Sequence, residues 1–326
     1  MEITVSRRDF LKYIGMGLTT LVSSGYANTI KPLAQESKSE KPNILLIVSD
    51  DQGWGDTTCN WKNTDIDTPV MDEIAKTGVR FTQFYVNPLC APTRASFFTG
   101  QYSMENGMWR GPSKAEDNDR IVKSGVRMLP QFLKKAGYRT GIFGKWHLGY
   151  QTPNTPNDRG FDEFYGFLGG AHPYTPTAAR ALMHNSRPYQ EDLHLTDYFT
   201  EKAMFFIRDC ARKKNPFFCY VPYNAVHGPL WRTERPKPSG KKQWLEKYAE
   251  KGVDFPRRDY NAILEHMDSS VGRLLNLLKT LKLQENTLVI YFSDNGACLM
   301  TPETKANYPG NNGPFRGAKA AHTKAG

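Results

Sequence analysis

Two short acidic stretches follow continuous apolar runs. Asn43-Ile44-Leu45-Leu46-Ile47-Val48 leads into Ser49-Asp50-Asp51-Gln52-Gly53, and Leu288-Val289-Ile290-Tyr291-Phe292 leads into Ser293-Asp294-Asn295-Gly296. An unbroken apolar run of this length reads as a strand buried on both faces. In an open parallel sheet, ligands gather beyond the carboxyl ends of the strands. One such pair serves equally well as a cap on a helix or turn. Two pairs at matching strand ends would bring three carboxylates and an amide together, and these repel unless a cation joins them. All-oxygen donors select a hard ion, Ca2+ or Mg2+. Cys90 is a further candidate. Pro92 and Thr93 would open a helix, which sets Cys90 just ahead of an N-terminus whose amides favour negative charge, with Arg94 one turn on. The bland alternative for a lone cysteine is a small buried hydrophobe. Lys145 and His147 stand two apart in a strand-like stretch, which would turn both side chains to one face. His227 follows another apolar strand, Phe217 to Val221.

The elements that would position these groups alternate. Helical patterns run from Thr68 to Lys76, Leu129 to Lys135 and Tyr198 to Cys210. A long amphipathic one carries Tyr260, Ile263, Leu264, Met267, Val271, Leu274 and Leu278 at steps of three and four. Val79 to Tyr85 and Arg139 to Phe143 are strand-like. Helices between buried strands predict an α/β architecture, a largely parallel sheet with helices on both faces. Residues 150–195, rich in Pro, Gly, Asn and Tyr, read as extended loop lining a site.

The chain has 326 residues, 39% of them apolar and 12% aromatic. That composition excludes a disordered chain, and no apolar run reaches the ~18 residues of a spanning helix. A formal charge of +10 suits an anionic substrate or surface, but no long Lys/Arg block points to nucleic acid. Five cysteines, an odd number, argue against a disulfide framework. At the N-terminus, Arg7-Arg8 with Phe10-Leu11-Lys12 and a mild apolar stretch reads as a twin-arginine export signal over 1–27, followed by a linker over 28–42. The expectation is a bacterial periplasmic or secreted enzyme, carried by the twin-arginine translocase and without a stable membrane anchor.

Cys90-Ala91-Pro92-Thr93-Arg94 has the pattern at which sulfatases convert cysteine to formylglycine. With Gly144-Lys145-Trp146-His147, Arg159-Gly160-Phe161-Asp162, Asn224-Ala225-Val226-His227-Gly228-Pro229, Ser293-Asp294-Asn295-Gly296 and Phe315-Arg316-Gly317-Ala318-Lys319, the chain resembles the formylglycine-dependent type I sulfatases of the arylsulfatase and carbohydrate-sulfatase kind. The resemblance implies an alkaline-phosphatase-like fold over 43–326, a large mixed, mostly parallel sheet sandwiched by helices. It also implies that a metal, usually Ca2+, is held by Asp50, Asp51, Asp294, Asn295 and the formylglycine made from Cys90. That residue's gem-diol would attack sulfur. Arg94 would hold the alkoxide and the metal carboxylates, Lys145 and Lys319 would bind sulfate oxygens, His227 would protonate the leaving group and His147 would take a proton from the second hydroxyl. The partners implied are a sulfated small molecule or glycan and a formylglycine-generating enzyme.

Past Lys319 the chain reads Ala320-Ala321-His322-Thr323-Lys324-Ala325-Gly326 instead of the turn such enzymes carry. The expectation is an incomplete catalytic domain whose small C-terminal domain is missing. Two rival readings are a phosphonate or phosphate ester hydrolase of the same superfamily and an inactive exported pseudoenzyme. Asp162, His172, Trp54, Trp109 and Trp231 are lesser candidates for substrate contact, and His266 and Asp268 read as structural. Pairing of Cys59, Cys210, Cys219 and Cys298 stays open.

Overall fold

Among the described residues, strand β1 (Asn43–Ser49) lies inside a seven-stranded sheet, between β6 (Phe217–Pro222) and β7 (Thr287–Ser293), parallel to both. β2 (Arg139–Lys145) runs parallel to β6 on its other side, and β3 (Glu163–Phe167) continues the parallel series. Two short antiparallel strands, β4 (Leu182–His184) and β5 (Arg187–Tyr189), finish that edge, for an order β5-β4-β3-β2-β6-β1-β7. The computed structural model describes residues 41–62, 64–114, 116–117, 119–175, 182–228, 240–298 and 309–320. The export-signal reading of 1–27, most of the linker, Trp231 and Ala321 to Gly326 lie outside them.

Strand parity divides the core. Leu45 and Ile47 of β1 and Phe217, Cys219 and Val221 of β6 point to one face. There they meet α5 (Leu195–Lys213) through Phe199, Phe206 and Ile207 and α7 (Arg257–Thr280) through Ile263, Met267, Val271 and Leu274. Leu46, Val48, Phe218 and Tyr220 point to the other face, where α2 (Cys90–Thr99) supplies Ala91, Ala95 and Phe98. Trp146 and Phe161 fill that side. Four neighbouring parallel strands, β2, β6, β1 and β7, therefore direct their carboxyl ends to one edge, the edge on which the expected site depends. Among the described residues no helix is long and apolar enough to cross a membrane.

Four details differ from the sequence reading. β7 is an edge strand among the described residues, pairing with β1 on one side only, and its Leu288 and Ile290 are 53% and 38% exposed. Val79 to Tyr85 forms no strand and is exposed, since β-branched and aromatic residues favour a strand only where a neighbour completes the ladder. The 150–195 stretch holds β3, β4 and β5 in addition to loops. The helix expected to open at Pro92 begins at Cys90 itself. α1 (Pro69–Thr77) matches its pattern, but its N-terminal amides are capped from elsewhere in the chain: Val70 and Met71 donate to the Asp268 carboxylate of α7 at 3.0 and 2.8 Å.

Candidate active site

Asp50 and Asp51 leave the end of β1, and Asp51 adopts a left-handed φ of 62°. Asp294 and Asn295 leave β7 beside them, with the Asp294 amide donating to the Ser49 carbonyl at 3.0 Å. Asn295 Nδ2 donates to Asp51 Oδ1 at 2.8 Å. Arg94, fully buried on α2, donates from Nε and Nη2 to Asp294 Oδ2 at 3.0 and 2.7 Å, and from Nη1 to the Lys145 carbonyl and the Tyr220 hydroxyl. Lys145 Nζ is hydrogen-bonded to Asp50 Oδ2, and Lys319 Nζ to Asp51 Oδ1 at 2.6 Å. Cys90 Sγ lies 3.2 Å from His147 Nδ1. His227 Nε2 is 3.8 Å from Asp51 Oδ2, and its Nδ1 bonds the Gly228 carbonyl at 2.6 Å. All ten sequence-designated residues thus fall in one cluster, drawn from the ends of β1, β2 and β7, the head of α2 and the loops that carry His227 and Lys319.

The strand expected to carry both Lys145 and His147 stops at Lys145. His147 lies beyond it at a φ of 61°, so the pair does not share a strand face. Lys145 is buried against Asp50, whereas His147 turns toward Cys90. A cavity of about 900 Å3 opens above the cluster. Cys90, His147, His227 and Lys319 line it, together with Arg110, Tyr150, His172 and the wall Phe167 to Ala171, while Lys145 does not reach it. Of the lesser candidates, His172 lines the cavity, but Asp162 bonds Lys134 and the Thr140 backbone. Trp54 packs against Phe315. Cys59, Cys90, Cys210 and Cys219 are thiols.

The electrostatics follow from burying so many charges together. Burial alone would raise the Asp50 carboxyl, but the charges of Lys145, His227, Arg94 and Lys319 outweigh it and hold Asp50 well below the ordinary carboxylate range. Asp294 is raised by burial and by the Asp50 charge beside it, with Arg94 only partly compensating. The Cys90 thiol is lowered because Lys145 and Lys319 overcome its desolvation. Burial and the nearby cations Lys145 and Arg94 press His147 well below its usual value, leaving a neutral imidazole. His227 is lowered by burial and by Lys319.

The donor set fits a hard divalent ion. Among the described residues, Asp50 Oδ1 and Asn295 Oδ1 are buried without a hydrogen-bond partner, a costly condition in a protein interior. Ligand atoms of Asp50, Cys90 and Asp294, and of Asp50, Asp51 and His227, come within 4.8 Å of one another. Carboxylate and amide oxygens suit Ca2+ or Mg2+.

Several supporting residues were not foreseen from the sequence. A Cβ on Gly111 would lie 2.5 Å from His147 Nε2, and one on Gly170 would lie 2.7 Å from the same atom, so two glycines hold the imidazole between them. Asn312 accepts from the Ala297 amide at 2.8 Å and donates to the Ala297 and Gly317 carbonyls, which fastens the Lys319 segment to the end of β7. Asp56 accepts from the Asn311 amide, Tyr260 and Arg257. The turn-rich run Pro309 to Gly313 beside the Lys319 motif was the available signal.

A family model described as Sulfatase matches residues 42–326. The N-acetylgalactosamine-6-sulfatase of Mus musculus is 34% identical over 299 residues, covering 85% of this chain and 54% of that protein. Arylsulfatase G of Canis lupus familiaris is 30% identical over 96% of this chain and 60% of its own length. Among solved structures, Ps i-CgsB in complex with k-i-k-neocarrahexaose superimposes with a TM-score of 0.78 at 32% identity, covering 88% of this chain and 64% of that one. The chain spans about half the length of the curated relatives it matches.

Proposed function

We propose, from the premise that the chain belongs to the sulfatase family, that its site hydrolyses sulfate monoesters, with carbohydrate or aryl sulfates as substrates. The observation that carries the reading is Cys90. It stands at the head of a helix, beside the neutral imidazole of His147 and over the clustered Asp50, Asp51, Asp294 and Asn295, with Lys319 in the same cavity. The metal, which we take to be Ca2+, would be held by those four residues and by the oxygen that replaces the Cys90 sulfur, and would supply Lewis-acid withdrawal of charge from the ester. Once oxidised to formylglycine by a maturation enzyme, position 90 would supply a gem-diol hydroxyl as nucleophile toward sulfur.

The chain's own groups do the rest of the work in this reading. Arg94 neutralises Asp294 and keeps the carboxylates from driving one another apart. Lys319, on the cavity wall, stabilises negative charge on the sulfate oxygens, and Lys145 adds field from beneath through Asp50. His147 accepts a proton at Nδ1 from the side chain at position 90. His227, its Nδ1 fixed by the Gly228 carbonyl, presents Nε2 to the cavity beside Asp51, whose charge offsets part of the lowering by burial and Lys319 and favours the protonated form that would supply a proton to the departing oxygen. Export by the twin-arginine translocase to a bacterial periplasm completes the reading, on the strength of Arg7-Arg8 and the stretch after them. The test is mass spectrometry of the peptide spanning Cys90, from protein made with a maturation enzyme, alongside turnover of an aryl sulfate. We expect an aldehyde in place of the thiol and metal-dependent turnover. An intact thiol in protein that still cleaves the ester would overturn the mechanism.

A further inference from the structure

Among the described residues, the walls of the cavity above Cys90 carry no Asp or Glu. The Lys and Arg side chains that line it among the described residues are Lys319, already bonded to Asp51, and Arg110. Arg110 is exposed and, among the described residues, has neither an ion-pair nor a hydrogen-bond partner. Its place is nevertheless set. It precedes Gly111, whose backbone packs so closely on His147 that a Cβ would lie 2.5 Å from Nε2. Consecutive Cα atoms are ~3.8 Å apart, so the guanidinium starts one residue from a contact with the reaction centre. Another part of the wall, Phe167, Leu168, Gly169, Gly170, Ala171 and Met183, is apolar or small. At about 900 Å3 the cavity is larger than one sulfated ring requires.

Resting on the sulfate-ester reading, we propose that Arg110 forms a second anion subsite, and that the preferred substrate is a glycan bearing another sulfate or a carboxylate on the same or the adjoining sugar as the sulfate to be cleaved. A guanidinium offers paired, planar donors that match either anion. With no carboxylate bound to it among the described residues, it is open to such a group when one arrives. A neutral sugar beyond the scissile ester would leave that cation unanswered. Arg110 would therefore determine specificity without touching the reacting atoms.

The test uses the full chain with Cys90→Ser, which binds without turnover, titrated calorimetrically with a disulfated disaccharide and with its monosulfated counterpart. We expect the disulfated ligand to bind more tightly. Arg110→Gln should weaken it about tenfold while changing the monosulfated ligand less than about twofold, and raised salt should erase the difference. Arg110→Lys should fall between, since it keeps charge but loses the fork. Equal weakening of both ligands by Arg110→Gln, or no preference in the parent, overturns the Arg110 subsite and leaves the sulfate-ester reading standing. Failure of the parent to bind either ligand overturns that reading, and the subsite with it.

Discussion

Arg94 donates twice to one oxygen of Asp294 and has its remaining donors on the Lys145 carbonyl and the Tyr220 hydroxyl, all of it shut off from solvent. Removing one member of such a cluster leaves buried charge uncompensated. Arg94→Ala is expected to cost about 3–5 kcal/mol of unfolding free energy in metal-stripped protein. Urea titrations with and without divalent ion check this, with a smaller loss when the ion is present. Asp268 makes a second case. Burial pushes its carboxyl up to about 6, against the opposing pull of the Val70 and Met71 amides. A carboxyl raised in the folded state contributes stability below its unfolded value, near 3.8, and loses it as pH climbs through about 6. The native protein should therefore lose roughly 3 kcal/mol between about pH 4 and 6 that Asp268→Asn does not lose. Parallel pH profiles for the two proteins in urea unfolding would contradict this.

At the scale of elements, the loops that carry Gly111 and Gly170 matter because of what they lack. Neither glycine sits at positive φ, so the demand is for space around the His147 ring and not for backbone freedom. Gly111→Ala or Gly170→Ala must displace the imidazole or part the loops. A shift of about 1 Å at a proton acceptor costs on the order of a hundredfold in rate. We expect that loss in kcat for sulfate ester turnover, with thermal unfolding little changed, since the sheet and its helices are untouched. An unaltered kcat would show that the glycines do not position the ring. The β strands make the complementary point. Leu45 and Ile47 against Leu46 and Val48 could be assigned to opposite faces by parity, and both faces are covered as a buried strand requires. Leu288 and Ile290 have the same chemistry, yet they lie exposed on β7, the edge strand among the described residues.

Across the whole molecule, metal binding links the carboxyl ends of β1 and β7 to the head of α2. Chelation is expected to abolish ester turnover and to lower the unfolding midpoint. At a free ion concentration a thousand times Kd, about 4 kcal/mol of stabilisation would be lost. Re-addition of Ca2+ or Mg2+, read by both turnover and scanning calorimetry, identifies the ion, and a midpoint unmoved by chelation would argue against a resident metal. The local signals for this site were all in the sequence: two apolar runs ending in Asp pairs, Cys90 before Pro-Thr-Arg, and the Lys145, His147, His227 and Lys319 motifs. Those signals are short-range, a matter of periodicity and of which side chains can ligate or move a proton, so they survive in one dimension. Which strands neighbour which, where the sheet ends, that Lys145 lies beneath the cavity while Lys319 faces it, and that Arg110 opens into it beside His147 depend on contacts between residues tens to hundreds of positions apart. Such contacts are decided by how faces pack in three dimensions, and composition and spacing do not encode that choice locally.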